Sequence, residues 1–288
     1  MADVGAQSGR AYLLSAPGLV LFATLLGTPL LLTVILSFYL FDFTTGIHPG
    51  FSIANYVEIL SDSYFHIIFG RTFGIALLVT IICVLIGAPE AYILSRMRNP
   101  WKSLFLIVIL GPLLISVIVR TLGWALLIGG RGMISQALQA LSLIDQPFSL
   151  MFTTTGMVVA LVHVLVPFMV ISVWASLQRI DPQVEDAALT LGASKPTVLW
   201  RVVLPQIMPG ILSGSLIVFA LTASAFATPA IIGGRRLKVV ATTAYDEYLN
   251  TLNWPLGAAI AILLLIANVV VIMSYNRFIE RRYAKVFE

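Results

Sequence analysis

Charge is the scarcest thing in this sequence. Asp, Glu, Lys and Arg together make up 10% of its 288 residues, where an ordinary soluble domain carries roughly 25%, and that shortage excludes a water-soluble enzyme. Cysteine is scarcer still: Cys83 is the single thiol, so no disulfide forms within the chain and a small packing residue is expected there. Familiar catalytic motifs are missing too. There is no H-E-x-x-H and no G-x-S-x-G, and Gly192-Ala193-Ser194-Lys195 lacks a second glycine, which removes the grounds for an intramembrane hydrolase. With no G-x-x-x-x-G-K-S/T phosphate loop either, energy from ATP has to enter through another chain. Internal repeats are also absent, and few ionisable residues fall in the apolar stretches, so a self-sufficient, ATP-independent carrier is the weaker alternative.

What fills the chain instead is hydrocarbon. Hydrophobic residues are 59% of the sequence and its mean hydropathy is +0.99. Stretches free of Asp, Glu, Lys and Arg run over 11–41, 72–89, 103–119, 146–178, 202–234 and 248–276, each near or beyond the about 20 residues that cross a bilayer. They predict an all-α polytopic membrane protein, one transmembrane domain over 1–288, with helices over 11–41, 67–94, 101–128, 155–177, 207–232 and 256–278. The third is read as one helix despite Arg120, because 121–128 is apolar again. The first is much longer than the roughly 7–15-residue apolar region of a signal peptide and ends in no small-residue cleavage site. It is expected to remain as an uncleaved span.

Lys and Arg set the orientation, since loops on the cytoplasmic side carry their excess. With both termini inside, that side holds Arg10, Arg96, Arg98, Lys102, Arg179, Lys195, Arg201, Arg277, Arg281, Arg282 and Lys285, against Arg131, Arg235, Arg236 and Lys238 outside. The net charge of +4 then calls for no nucleic acid. Between spans, 55–60 fits a short interfacial helix, and Met133, Ile134, Ala137, Leu138 and Leu141 fit one amphipathic face lying on the membrane.

The inner segment 181–205 carries the most information. Asp181 before Pro182 reads as an N-cap with proline at the first helical position, and Glu185 and Asp186 place acid where the helix dipole favours it. Leu191 and Gly192 read as a helix end. Ser194 and Pro196 open a second short helix through Trp200 and Val203, stopped by Pro205 and Pro209. Two short helices joined at a glycine make a rigid knob, and Val184, Ala187, Ala188 and Leu191 give the first of them a small apolar face suited to a groove in another protein.

From Asp186 the chain reads Asp-Ala-Ala, three residues, Gly192, nine residues, Val202, one residue, Leu204, Pro205. This resembles the EAA motif (E-A-A, three residues, G, nine residues, I-x-L-P) of permease subunits in bacterial ABC importers, with Asp186 for Glu and Val202 for Ile. Arg120, Thr121, Leu122, Gly123 and Trp124 followed by Gly130, Arg131 and Gly132 are similar to the third-span signature of spermidine/putrescine-type permeases. Pro167, Phe168 and Met169, and Trp254 through Ala259, are similar to that group as well.

The resemblance implies the type I ABC importer permease (MetI-like) fold in the bacterial inner membrane. It implies a sister permease, forming a heterodimer around a central path, two ATP-binding subunits that hold ATP and Mg, and an extracytoplasmic solute-binding protein. No cofactor is expected in this chain. The cargo implied is a polyamine; opines, aminophosphonates, betaine and iron are the alternatives in related permeases. Glu185, Asp186, Ala187, Ala188, Leu191, Gly192, Ala193, Val202, Leu204 and Pro205 become the expected ATPase-coupling residues.

For the path or gate the candidates are Arg120, Trp124, Glu90 and His163. Arg120 is a charge inside a span, which faces a cavity or a partner; Asp246, Glu247 or backbone carbonyls are the structural alternatives. Glu90 either snorkels toward Arg96 or Arg98 or serves a cation path. His163 is expected to hydrogen-bond a neighbouring helix. His48 and His66 are too scattered for a metal site, and Asp42, Glu58, Asp62, Asp145, Asp246 and Glu247 read as solvated outer-loop acids, with attraction of cationic cargo or contact with the binding protein as the alternative.

Overall fold

The computed structural model describes residues 4–287, with side chains described over 15–277 and at Ile279, Pro182 excepted. Arg10, Arg281, Arg282 and Lys285, which enter the orientation argument, lie outside the described side chains. In chain order the first elements are α1 (Val4–Leu36), β1 (Leu40–Asp42), β2 (Gly46–His48), α2 (Ala54–Ser61) and α3 (Ser63–Arg96). They are followed by α4 (Trp101–Leu114), α5 (Val117–Ile128), α6 (Met133–Ala140) and α7 (Thr154–Leu177). The last are α8 (Pro182–Thr190), α9 (Lys195–Val198), α10 (Leu204–Ala223), α11 (Val240–Leu249) and α12 (Trp254–Phe287).

Among the described residues, six helical stretches are long and apolar enough to cross a membrane: Ser15–Leu36, Ser63–Arg96, Val117–Ala140, Thr154–Leu177, Lys195–Ala223 and Trp254–Arg277. Their outward side chains are apolar, Phe22, Leu25, Leu85, Ile118 and Val270 among them. In water such a surface would aggregate; in a bilayer it faces acyl chains and costs nothing.

The chain divides into two compact units, Met1–Phe65 with Thr243–Ile266, and His66–Thr242 with Ala267–Glu288. In the first, β1 and β2 form a small antiparallel hairpin. Asp42 closes its turn by accepting hydrogen bonds from the backbone N–H of Thr44 at 2.8 Å and of Thr45 at 3.1 Å and from both hydroxyls. Four donors, the Thr44 hydroxyl foremost, stabilise the carboxylate and bring its pKa down to about 2. Asn55 of α2 donates to the carbonyls of Ser37 and Tyr39, both at 2.9 Å. That bond pair satisfies backbone oxygens left free where α1 ends.

The second unit is built around α7, whose Met157, Met169, Val170 and Val173 are fully buried. Against it lies α10, and the contact is made close by Gly210 and Gly214, a small-xxx-small pair. A Cβ on Gly210 would sit 2.6 Å from the Ser172 carbonyl oxygen of α7, whereas on Gly214 it would meet the Met169 sulfur at 2.8 Å. Backbone does not yield and a thioether does. Gly210→Ala is therefore expected to lower the melting temperature of the detergent-solubilised protein clearly more than Gly214→Ala, overpacking costing about 1–3 kcal/mol. Equal melting temperatures would contradict this packing.

Two expectations are corrected here. The third span is not one helix over 101–128: α4 ends at Leu114 and α5 begins at Val117, with Ile115 extended at φ −93° and ψ 139°. Pro112 in the last turn of α4 cannot donate a backbone hydrogen bond, and the helix stops within three residues of it. Nor do Pro205 and Pro209 stop the helix after α9. A π-helical turn over Leu199–Val203 leads straight into α10, with Pro205 in its first turn and Pro209 inside. The wider turn shifts the hydrogen-bond register, so that a residue without an N–H is accommodated at the start of α10.

Candidate functional site

The knob is formed by α8, the turn after it, and α9. Asp181 caps α8 by accepting from the Gln183 N–H at 3.0 Å. At the other end Gly192 adopts φ +87°, the left-handed value that glycine takes without a Cβ penalty. Its N–H reaches the Leu189 carbonyl at 3.0 Å while the Ala193 N–H reaches Ala188 at 3.1 Å, the paired bonds of a Schellman closure. Ser194 then caps α9, accepting from the Thr197 N–H at 3.4 Å. Both ends of α8 and the start of α9 are thus closed by the knob's own backbone and side chains.

The expected coupling residues divide by direction. Asp186, Ala187, Leu191, Gly192 and Pro205 face outward, and Leu191 is 88% exposed at the tip. Ala188, Ala193, Val202 and Leu204 pack against the hydrophobic core instead. Glu185 also turns inward. It is 7% exposed and ion-paired with Arg96 at the end of α3, whose guanidinium also lies 5.3 Å from the Tyr92 ring centroid. Glu185 therefore ties the knob to a membrane span, and the apolar outer face is Val184, Ala187 and Leu191, without Ala188. Sequence reasoning missed the Arg96–Glu185 pair. The available signal was a second acid beside Asp186, which on a helix points about 100° away from it.

Of the four candidates within the spans, three share one cavity. Glu90 of α3, Val108 and Pro112 of α4, Trp124 of α5, and His163 and Pro167 of α7 line a cavity of about 400 Å³. Trp124 donates from Nε1 to His163 Nδ1 at 3.1 Å, the rings edge to face with centroids 5.6 Å apart. That bond requires an unprotonated Nδ1, so His163 is neutral with its proton on Nε2. Glu90 does not reach Arg96, which Glu185 engages. Arg120 lies on another cavity of about 530 Å³, with Val117, Leu165, Phe168, Phe226 and Thr228. Its Nε and Nη1 are buried without a hydrogen-bond partner among the described residues, so neither nitrogen has the carboxylate or carbonyl acceptor that the sequence suggests.

Outside the spans, burial pushes the Glu58 carboxyl up, with Glu247 and then Asp62 adding to it. Among the described residues no group of three or more His, Cys, Asp or Glu is placed to hold a metal ion.

The sequence family described as "Binding-protein-dependent transport system inner membrane component" matches residues 13–285. The spermidine/putrescine transport system permease protein PotB of Escherichia coli (strain K12) is 30% identical over 259 residues, covering 90% of this chain and 93% of that protein. Among solved structures, a chain of a bacterial alginate ABC transporter, in complex with an alginate pentasaccharide-bound periplasmic protein, superimposes with a TM-score of 0.77 at 17% identity, covering 98% of each chain. A chain of the MetNI methionine ABC transporter in an inward-facing conformation gives 0.57 at 15% identity, covering 76% of this chain and 98% of that one. At these identities the structures speak for the fold alone.

Proposed function

The chain belongs to the binding-protein-dependent transport system inner membrane components, the permease subunits of ABC importers, and on that premise we propose that its cargo is a polyamine of the spermidine or putrescine type. It pairs with a sister permease around a central path, receives cargo from an extracytoplasmic binding protein, and is driven by two ATPase subunits that hold ATP and Mg. The knob is the coupling element. The observation that carries this reading is its closed, self-capped shape with Leu191 and Gly192 at the tip, at the motif spacing of ABC permeases. In this reading both termini and the knob lie in the cytoplasm, in line with the Lys and Arg distribution.

Closure of the ATPase dimer moves the knob as a rigid body, and the Arg96–Glu185 pair passes that motion to α3. The spans then shift between inward-open and outward-open packings. The polyamine assignment is supported by the similarity to the spermidine/putrescine permease. For a polycationic cargo the Arg120 cavity is repulsive, and binding there is disfavoured.

The test is uptake of labelled spermidine by cells lacking this chain and by the same cells with it restored. Restored, saturable uptake that unlabelled putrescine competes away is expected. Restored cells that import no polyamine would overturn the assignment.

A further inference from the structure

A carboxylate, an indole and a neutral imidazole converge on one cavity in the second unit, and their chemistry selects a ligand. Glu90 is half-buried on α3 and lines the cavity. No hydrogen bond or ion pair reaches it among the described residues. Arg96, one helical turn and a half further along α3, is held by Glu185 and its guanidinium sits by the Tyr92 ring. The remaining walls, Ile86, Val108, Ile109, Pro112 and Val166, are apolar.

Such a carboxylate does not face acyl chains. In lipid it would be costly, and intramembrane acids face a bundle interior or a water-filled cavity. The exposed side chains of Ile86 and Val108 at the cavity's rim therefore border water or cargo in the assembled importer. Along α7 the lining runs from Val159 to Pro167, about 12 Å at 1.5 Å per residue. The lining thus combines one carboxylate, an indole and an imidazole with hydrocarbon walls.

We propose that this groove binds a primary alkylammonium with a methylene chain, Glu90 serving as counter-ion and Trp124 as the aromatic wall. A carboxylate takes an ammonium by a charge-assisted hydrogen bond, and an indole face attracts a cation. The methylenes lie against Val108, Pro112 and Val166. The Trp124–His163 bond holds the indole in place and keeps the imidazole uncharged, so no positive charge from His163 opposes the ligand. Arg120, one turn from Trp124 on α5, lines the other cavity. The choice of a diamine as ligand rests on the polyamine reading above; the site itself does not.

The probe is labelled putrescine, bound to the purified, nucleotide-free importer complex in lipid nanodiscs. The wild-type complex is expected to bind it, Glu90→Gln to weaken binding by about tenfold or more, as loss of a charged hydrogen bond implies, and Glu90→Asp to keep most of it. Trp124→Leu is expected to weaken it by about fivefold. Gln is isosteric and Glu90 has no partner among the described residues to lose, so assembly, read by size-exclusion chromatography, is expected to be unchanged. No binding by the wild type, or equal binding by wild type and Glu90→Gln, overturns the site. Putrescine transport by the wild-type complex is scored separately. Transport with Glu90-independent binding sinks the site and leaves the polyamine reading standing, whereas Glu90-dependent binding without transport does the reverse.

Discussion

Leu191→Asp is expected to leave the permease inserted and folded while reducing its association with the ATPase by roughly 30-fold, about 2 kcal/mol at a buried interface hot spot. ATP-driven uptake falls with it. The reason lies in where the side chain points. Leu191 is 88% exposed at the tip of the knob, and a surface substitution of that kind changes the stability of the free chain by about 0.5 kcal/mol or less. Ala188→Asp is not an equivalent test, because Ala188 packs against the core and the new charge would be buried. Gly192→Val attacks the same surface through the backbone. Gly192 has open space around it but φ +87°, so the cost is about 1–2 kcal/mol of left-handed strain rather than a clash. Co-purification with the ATPase and uptake together check both variants. Wild-type values for Leu191→Asp would remove the knob from coupling.

The second large effect is expected at the Arg96–Glu185 pair. Arg96→Met leaves Glu185, 7% exposed, without its cation. An unpaired buried charge costs several kcal/mol when fully enclosed, and with Arg96 half-exposed about 2–3 kcal/mol is expected here. Removing both charges as Arg96→Met with Glu185→Met is expected to recover most of that loss, since a buried pair is stabilising mainly relative to its half-broken forms. The double variant, although stable, is expected to hydrolyse ATP with reduced transport per ATP, because the ionic tie between knob and α3 is gone. A double-mutant cycle on melting temperature gives the coupling energy, and the ratio of uptake to hydrolysis gives the mechanical role. Additive losses with an unchanged ratio would mean that the pair neither stabilises nor transmits.

Much of this was legible in residues whose effect is local. Asp181 and Ser194 cap helices because short polar side chains reach a backbone N–H two or three positions on, and Gly192 ends α8 because only the backbone at that position has to turn left-handed. Such signals need no knowledge of neighbours. The break at Ile115–Ser116 and the π turn before Pro205 were not legible. Apolar residues predominate on either side of Ser116 and of Arg201, and hydropathy records that a segment is buried in lipid without recording how its backbone is hydrogen-bonded. Direction was the other blind spot. Glu185 and Asp186 are adjacent acids with equal claims on the helix dipole, and only packing against α3 turns one inward. Glu90, Trp124 and His163 lie on three different helices, and their convergence on one cavity is a tertiary fact; Arg120, the charge inside a span, lines another cavity.

The most direct test is spermidine accumulation in proteoliposomes. The chain is reconstituted with its sister permease and ATPase, with binding protein and labelled spermidine on one side and ATP on the ATPase side. Accumulation that requires ATP hydrolysis, stops with a non-hydrolysable analogue and is absent from liposomes holding this chain alone is the expected result. ATP-independent accumulation by the chain alone would contradict it.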